Sequence, residues 1–152
     1  MLTLFKKFRL IKRVRRVKRR TKRTQTSRRD YLKYKSTTRA LVLSRLEYFN
    51  QFYNFKYNSV RIKNQKTRWG SCSKKGNLNF SYKLALLSPR QVDYIIVHEL
   101  CHLGEFNHSQ KFWALVAQTI PDYKKIRQEL KRVNLRKAGS VRSPGSESIE
   151  IS

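Results

Sequence analysis

Residues 98–108 read His98-Glu99-Leu100-Cys101-His102-Leu103-Gly104-Glu105-Phe106-Asn107-His108 and contain all three histidines of the chain. On an α-helix, positions four apart differ by about 40° around the axis, so His98 and His102 share a face. Glu99, three before His102, adjoins that face. A lone histidine on an apolar helix is ordinarily a satisfied core residue. Two histidines and an acid among Ile95, Ile96, Val97 and Leu100 are a different matter, because burying them costs several kcal/mol unless they are paired or metal-bound. A zinc ion held by both imidazoles would leave the Glu99 carboxylate beside an open coordination position.

The flanks of this stretch define a helix. Ser88-Pro89-Arg90-Gln91 is a capping box with proline at the first helical position. Gly104 is expected to end the helix in the left-handed conformation, and the reversed chain can then bring His108 back as a third ligand. Glu105 competes for that position; its other reading is a solvated residue, or one that orients a histidine. Cys101 falls off the histidine face and reads as core. Between Val92 and Leu103 the helix is apolar nearly all round, which predicts a central, buried element.

Working outward, Val42, Leu46, Phe49 and Tyr53 recur at helical spacing and predict a long amphipathic helix over Tyr31–Tyr53. Ser59–Lys63 alternates as a half-buried strand, Asn64-Gln65 suits a turn, and Thr67–Ser71 reads as a second strand. A hairpin loop at Lys74–Asn77 leads into a third strand, Leu78–Tyr82. After the histidines, Ser109 can cap a helix carrying Phe112, Trp113, Leu115 and Val116. Pro121 breaks it before a basic helix from Asp122 to about Leu135. The expected fold class is α+β: a long helix, a small antiparallel β meander, a buried central helix and C-terminal helices.

Arg68-Trp69-Gly70-Ser71-Cys72, the Leu78–Tyr82 strand, Val97–Leu103 and Asn107-His108-Ser109-Gln110-Lys111-Phe112-Trp113 together resemble the YgjP-like metallopeptidase family, which is related to the SprT and WLM groups of zincins. The resemblance covers roughly residues 57–135 and is far more specific than the H-E-x-x-H pattern alone. It implies a zincin-like core, a Zn2+ cofactor, His98, His102 and His108 as ligands, and Glu99 as the catalytic residue. It also makes Arg68 a candidate contact to substrate or oxyanion, against the plainer reading of an arginine at a strand edge beside a core tryptophan. Members of that family usually carry a β-rich N-terminal segment, and here a basic arm stands in its place. Metzincins share the three-histidine spacing but need glycine where Glu105 stands and a methionine turn. The only methionine is Met1.

Charge adds a second theme. The 152 residues hold 36 Lys or Arg against 9 acids, a formal net charge of +27. Such an excess attracts polyanions; its plainer reading is a solubilising surface. Residues 1–29 carry 14 of those cations and no acid, with Leu4, Phe8 and Ile11 at helical spacing. They read as a basic arm that can meet nucleic acid or another polyanion, followed by a zincin-like domain over residues 30–137. Residues 138–152 (AGSVRSPGSESIEIS) read as a disordered tail. Two cysteines are too few for a disulfide framework, no apolar run approaches a membrane span, and the N-terminus lacks the apolar region of a secretory signal. An Arg-rich, acid-free start also has the composition of an organelle transit peptide. The expectation is a cytoplasmic protein.

The expected chemistry is metalloendopeptidase hydrolysis of a polypeptide, with a zinc-activated water and Glu99 as general base. A third strand at the sheet edge would pair with extended substrate through Leu78, Asn79 and Phe80. Two other readings compete. One is a single-metal nucleotide phosphoanhydride hydrolase that uses the basic surface. The other is a nucleic-acid-associated protein with a structural zinc, which predicts a closed four-ligand site, and no fourth ligand is evident.

Overall fold

Helical spacing and strand alternation resolve, in a computed structural model, into four α-helices, three strands and one 3-10 helix among the described residues. Those residues are 2–133 and 135, with side chains from residue 27 onward. The order is α1 (Leu2–Tyr53), β1 (Ser59–Lys63), β2 (Gly70–Cys72), β3 (Asn77–Ser81), the 3-10 helix Tyr82–Leu86, α2 (Pro89–Cys101), α3 (Gln110–Thr119) and α4 (Tyr123–Arg132). One helix thus spans both the basic arm and the predicted Tyr31–Tyr53 segment. The expected tail at 138–152 lies outside the described residues.

The sheet differs from the expected antiparallel meander. Its order is β1-β3-β2, with β3 parallel to β1 and antiparallel to β2. Alternation fixes which side chains share a face, but not which strand is the neighbour. Leu78 and Phe80 are both fully buried, and β3 accordingly takes the doubly flanked central place. Residues 64–69 carry the chain past the end of β3 to β2, a lateral step of about 10 Å. Ser81 then accepts a hydrogen bond from Lys83 N and starts the 3-10 helix, which shortens the predicted third strand by Tyr82.

Helix α2 is the buried hub. Val92, Tyr94, Ile95, Ile96, Val97, Leu100 and Cys101 are all buried, and α1, β2, α3 and α4 pack around them. Pro89 occupies the first turn, and Gln91 Oε1 accepts from Ser88 N at 3.3 Å, as the capping box requires. Helix α1 docks through Val42, Leu46 and Phe49. Arg45 adds a two-pronged ion pair to Asp93 of α2, at 2.6 and 2.8 Å. At the end of α1, Tyr53 Oη donates to Leu115 O at 2.8 Å and lies 2.7 Å from Thr119 Oγ1, which fixes α3 in place. No helix among the described residues is long and apolar enough to cross a membrane.

The seam between α1 and the 3-10 helix rests on one buried polar contact: Thr38 Oγ1 donates to Tyr82 O at 2.8 Å with Thr38 fully buried. Thr38→Val keeps the shape and removes the donor, leaving a buried carbonyl unsatisfied. Urea unfolding should show a loss of about 1–3 kcal/mol. Wild-type stability in that variant would mean the contact contributes nothing.

Candidate active site

His98 and Glu99 lie in the last turn of α2, and His102 is its C-cap, with right-handed φ −65° and ψ −14°. The helix closes through tightened turns, Leu103 N to Leu100 O and Gly104 N to Cys101 O at 3.0 and 3.1 Å. Gly104 is therefore not a left-handed terminator, as the sequence suggested. Among the described residues only Gly76 is a glycine with positive φ. Gly104 is needed for a different reason: a Cβ there would sit 2.8 Å from Phe55 Cζ. The turn that follows returns the chain so that His108 faces α2.

The donor atoms of His98, His102 and His108 lie within 4.8 Å of one another. His98 Nε2 and His108 Nε2 are 3.1 Å apart, while His98 Nδ1 is buried without a partner, so the polar contact of that ring is on its Nε2 side. His102 Nδ1–H donates to Glu105 O at 3.1 Å, which frees Nε2 as a lone-pair donor. Glu105 thus orients a histidine through its main chain, and its carboxylate is not in the cluster. Burial holds His98 down at about 3, with the other two histidines adding to the effect, and burial also lowers His102. Neutral imidazoles are what a metal needs. Two nitrogens on a tetrahedral zinc stand about 3.4 Å apart, so the spacing and the chemistry of this donor set both fit a metal ion.

An aromatic floor keeps the imidazoles in place. Ser109 Oγ accepts from Phe112 N and starts α3, so Phe112 comes to lie beneath the cluster. Its ring stacks on His102 at 4.5 Å and meets His98 and His108 edge-on at 4.9 and 4.8 Å. Trp113 stacks on His108 at 5.5 Å. From the sequence, Phe112 and Trp113 read as an apolar helix stripe and as part of the family resemblance, with no role at the histidines assigned to them.

Glu99 is 6 % exposed, and burial raises its carboxyl to about 8 against the opposing pull of Arg68. A residue that sequence reasoning missed makes room for it. A Cβ on Gly70 would fall 2.6 Å from both Cγ and Oε1 of Glu99. The available signal was a glycine in a short strand, which often marks close approach. Arg68, Trp69 and Gly70 line a cleft of about 400 Å3 together with His98 and Glu99. Burial pushes Cys72 and Cys101 up to about 11 and 12, so both are protonated at neutral pH, and neither joins the cluster.

The expected substrate strand requires correction. β3 has β1 on one side and β2 on the other, so Leu78, Asn79 and Phe80 offer no free edge. Leu78 and Phe80 are core, and Asn79 Nδ2 reaches Ser71 Oγ at 3.4 Å.

The profile of the YgjP-like metallopeptidase domain matches residues 5–133, well beyond the 57–135 stretch that carried the resemblance at its N-terminal side. The chain belongs to the YgjP-like metallopeptidase family. No curated protein matches it. Among solved structures, the metallopeptidase zymogen abylysin of Pyrococcus abyssi is similar at 27 % identity and a TM-score of 0.54, covering 59 % of this chain and 90 % of that one. The metallopeptidase zymogen jannalysin of Methanocaldococcus jannaschii is 20 % identical, with a TM-score of 0.53 over 60 % of this chain and 94 % of its own. At that identity the likeness is one of fold.

The Gly70–Glu99 contact is directly testable. Gly70→Ala should cost about 1–3 kcal/mol through overpacking. The same substitution in a Glu99→Ala background should cost measurably less, because the clashing atoms are gone. Equal costs in the two backgrounds, read by urea unfolding, would show that the close approach is absent.

Proposed function

We propose that this metallopeptidase is a zinc endopeptidase in which His98, His102 and His108 hold one metal ion and Glu99 is the general base. The observation that carries the reading is the convergence of three imidazole donors within 4.8 Å, with Glu99 next along the same helix and both His98 and Glu99 facing one cleft. When bound, zinc supplies Lewis acidity, acidifying a water and polarising the scissile carbonyl. Glu99 takes the proton of the attacking water and delivers it to the leaving amine. Phe112 and the Glu105 carbonyl keep the histidine rings from turning.

Edge strand β2 is the natural place for an extended substrate. Trp69 O accepts from Ser81 N, and Ser73 N donates to Asn77 O. The alternation of an antiparallel ladder therefore turns the N–H and C=O of Gly70 and Cys72 away from β3. A peptide adding to that edge runs past Glu99. The opposite edge is less open, since Tyr31 Oη donates to Ile62 O and Arg39 Nη1 to Val60 O.

Purified protein should hold about one zinc per chain, and His98→Ala or His102→Ala should abolish it. Glu99→Gln should retain the metal and lose about 10²–10⁴-fold in peptide hydrolysis. Metal retained in both histidine variants, or wild-type cleavage by Glu99→Gln, would overturn the assignment.

The basic arm at residues 1–29 is proposed to bind nucleic acid. What supports this is its charge, and its place at the start of a helix whose described ties to the domain include Ser27, bonded by Asn64 Nδ2 at 2.7 Å, and Tyr31. Removing it takes net charge from +27 to +13, since it holds 14 cations and no acid. Deletion should weaken binding and flatten the salt dependence of log affinity by about 0.9 for each duplex phosphate that the arm neutralises. Equal affinity and equal slope with and without the arm would contradict the proposal, and binding to anionic vesicles that depends on Phe5 and Phe8 would make the arm a membrane anchor instead.

A further inference from the structure

The cleft beside the histidines has a charge pattern that the reaction itself does not require. Arg68 stands on its β2 side, and Arg127 and Lys131, one turn apart on α4, stand on the other. Glu99 is the one acid that lines it. Arg45 and Arg90 elsewhere are paired with Asp93 and Asp122, whereas none of the three cleft cations has a carboxylate partner within 4 Å among the described residues. Arg127 is also held in position. Its guanidinium lies 4.9 Å over the Trp113 ring, and that ring stacks with Tyr123 at 5.0 Å and with His108 at 5.5 Å. The cation is therefore ordered on the same platform as the histidine cluster, not left to sweep through solvent.

We propose that this cleft selects peptides that place a carboxylate next to the scissile bond, with Arg127 and Arg68 as its receptors and Lys131 reinforcing them. The inference rests on the peptidase reading. With zinc bound at the histidines, its charge would add to those of the three cleft cations, leaving a positive excess that the single Glu99 carboxylate would not balance and that a neutral substrate would leave standing. A substrate carboxylate neutralises part of it and can bridge a guanidinium in the two-pronged geometry that arginine favours. An acidic side chain and a free chain terminus present the same group, and both would be accepted.

The competing explanation is attraction of any acidic peptide by a protein of net charge +27. The test compares full-length zinc-loaded protein on internally quenched, C-terminally amidated peptides that differ in one residue beside the scissile bond: Glu, Gln or Lys. A fourth peptide keeps Gln and carries a free C-terminal carboxylate, which separates a side-chain source from a terminal one. Binding of the same peptides to Glu99→Gln provides a readout independent of turnover. The Glu peptide should exceed the Gln peptide about tenfold in kcat/KM, and the Lys peptide should fall below both. Arg127→Gln should shrink the Glu-to-Gln ratio about three- to tenfold, in the range of a charge-assisted contact. Lys74→Gln with Lys75→Gln, which removes two exposed charges at the β2–β3 turn, should leave that ratio unchanged. Equal handling of Glu, Gln and Lys peptides would overturn the proposal, as would a Lys74/Lys75 effect as large as that of Arg127. If no peptide is cleaved while Glu99→Gln still binds the Glu peptide preferentially, the peptidase reading fails and the anion selectivity stands.

Discussion

Everything in this structure answers to one constraint: the helix that forms the centre of the core must also carry one buried and two half-buried polar groups to the edge of a cleft. α2 packs against α1, β2, α3 and α4, and yet His98 and Glu99 lie in its last turn and His102 is its C-cap. Apolar burial of that helix alone would be routine. Burial of an acid and two imidazoles is costly unless each finds a partner or an ion. The surroundings supply what they can. Phe112 packs the rings, the Glu105 carbonyl satisfies His102 Nδ1, and the bare backbone of Gly70 leaves space for Glu99. What they do not supply is a partner for the lone pairs facing one another across the cluster, and a metal ion would do so.

The shifted acidities follow from the same constraint. His98 is pushed down and Glu99 up, both mainly by loss of water. A bound cation works in the same direction on the first and against the burial effect on the second, favouring neutral imidazoles and an ionised carboxylate. The family to which the chain belongs is one of metallopeptidases, and the three histidines form a cluster that could hold a metal ion.

Much of this was legible in the sequence, because helices announce themselves locally. Ser88-Pro89 and Ser109 mark helix starts by hydrogen bonding that needs no tertiary context, and the spacing of Val42, Leu46 and Phe49 identifies the buried face of α1. Strand neighbours are a different problem. The alternation in Ser59–Lys63 and Leu78–Tyr82 is equally compatible with either partner, and the parallel β1–β3 pairing depends on burial summed over the whole core. Close approaches are harder still. Gly70 against Glu99 and Gly104 against Phe55 join residues 29 and 49 apart in sequence; a glycine in a strand hints at a close approach at Gly70 but does not name its partner, and Gly104 reads as a helix terminator. Of the site, the three histidines and Glu99 could be read directly, whereas Arg127 and Lys131 came to the cleft only through the packing of α4.

The account stands on three imidazoles being the protein ligands of a single zinc. X-ray absorption at the zinc edge of the full-length protein tests this most directly. The prediction is a first shell of nitrogen and oxygen at about 2.0–2.1 Å, with the outer-shell scattering of histidine rings and no sulfur. A sulfur shell at about 2.3 Å would place Cys72 or Cys101 on the metal and contradict it.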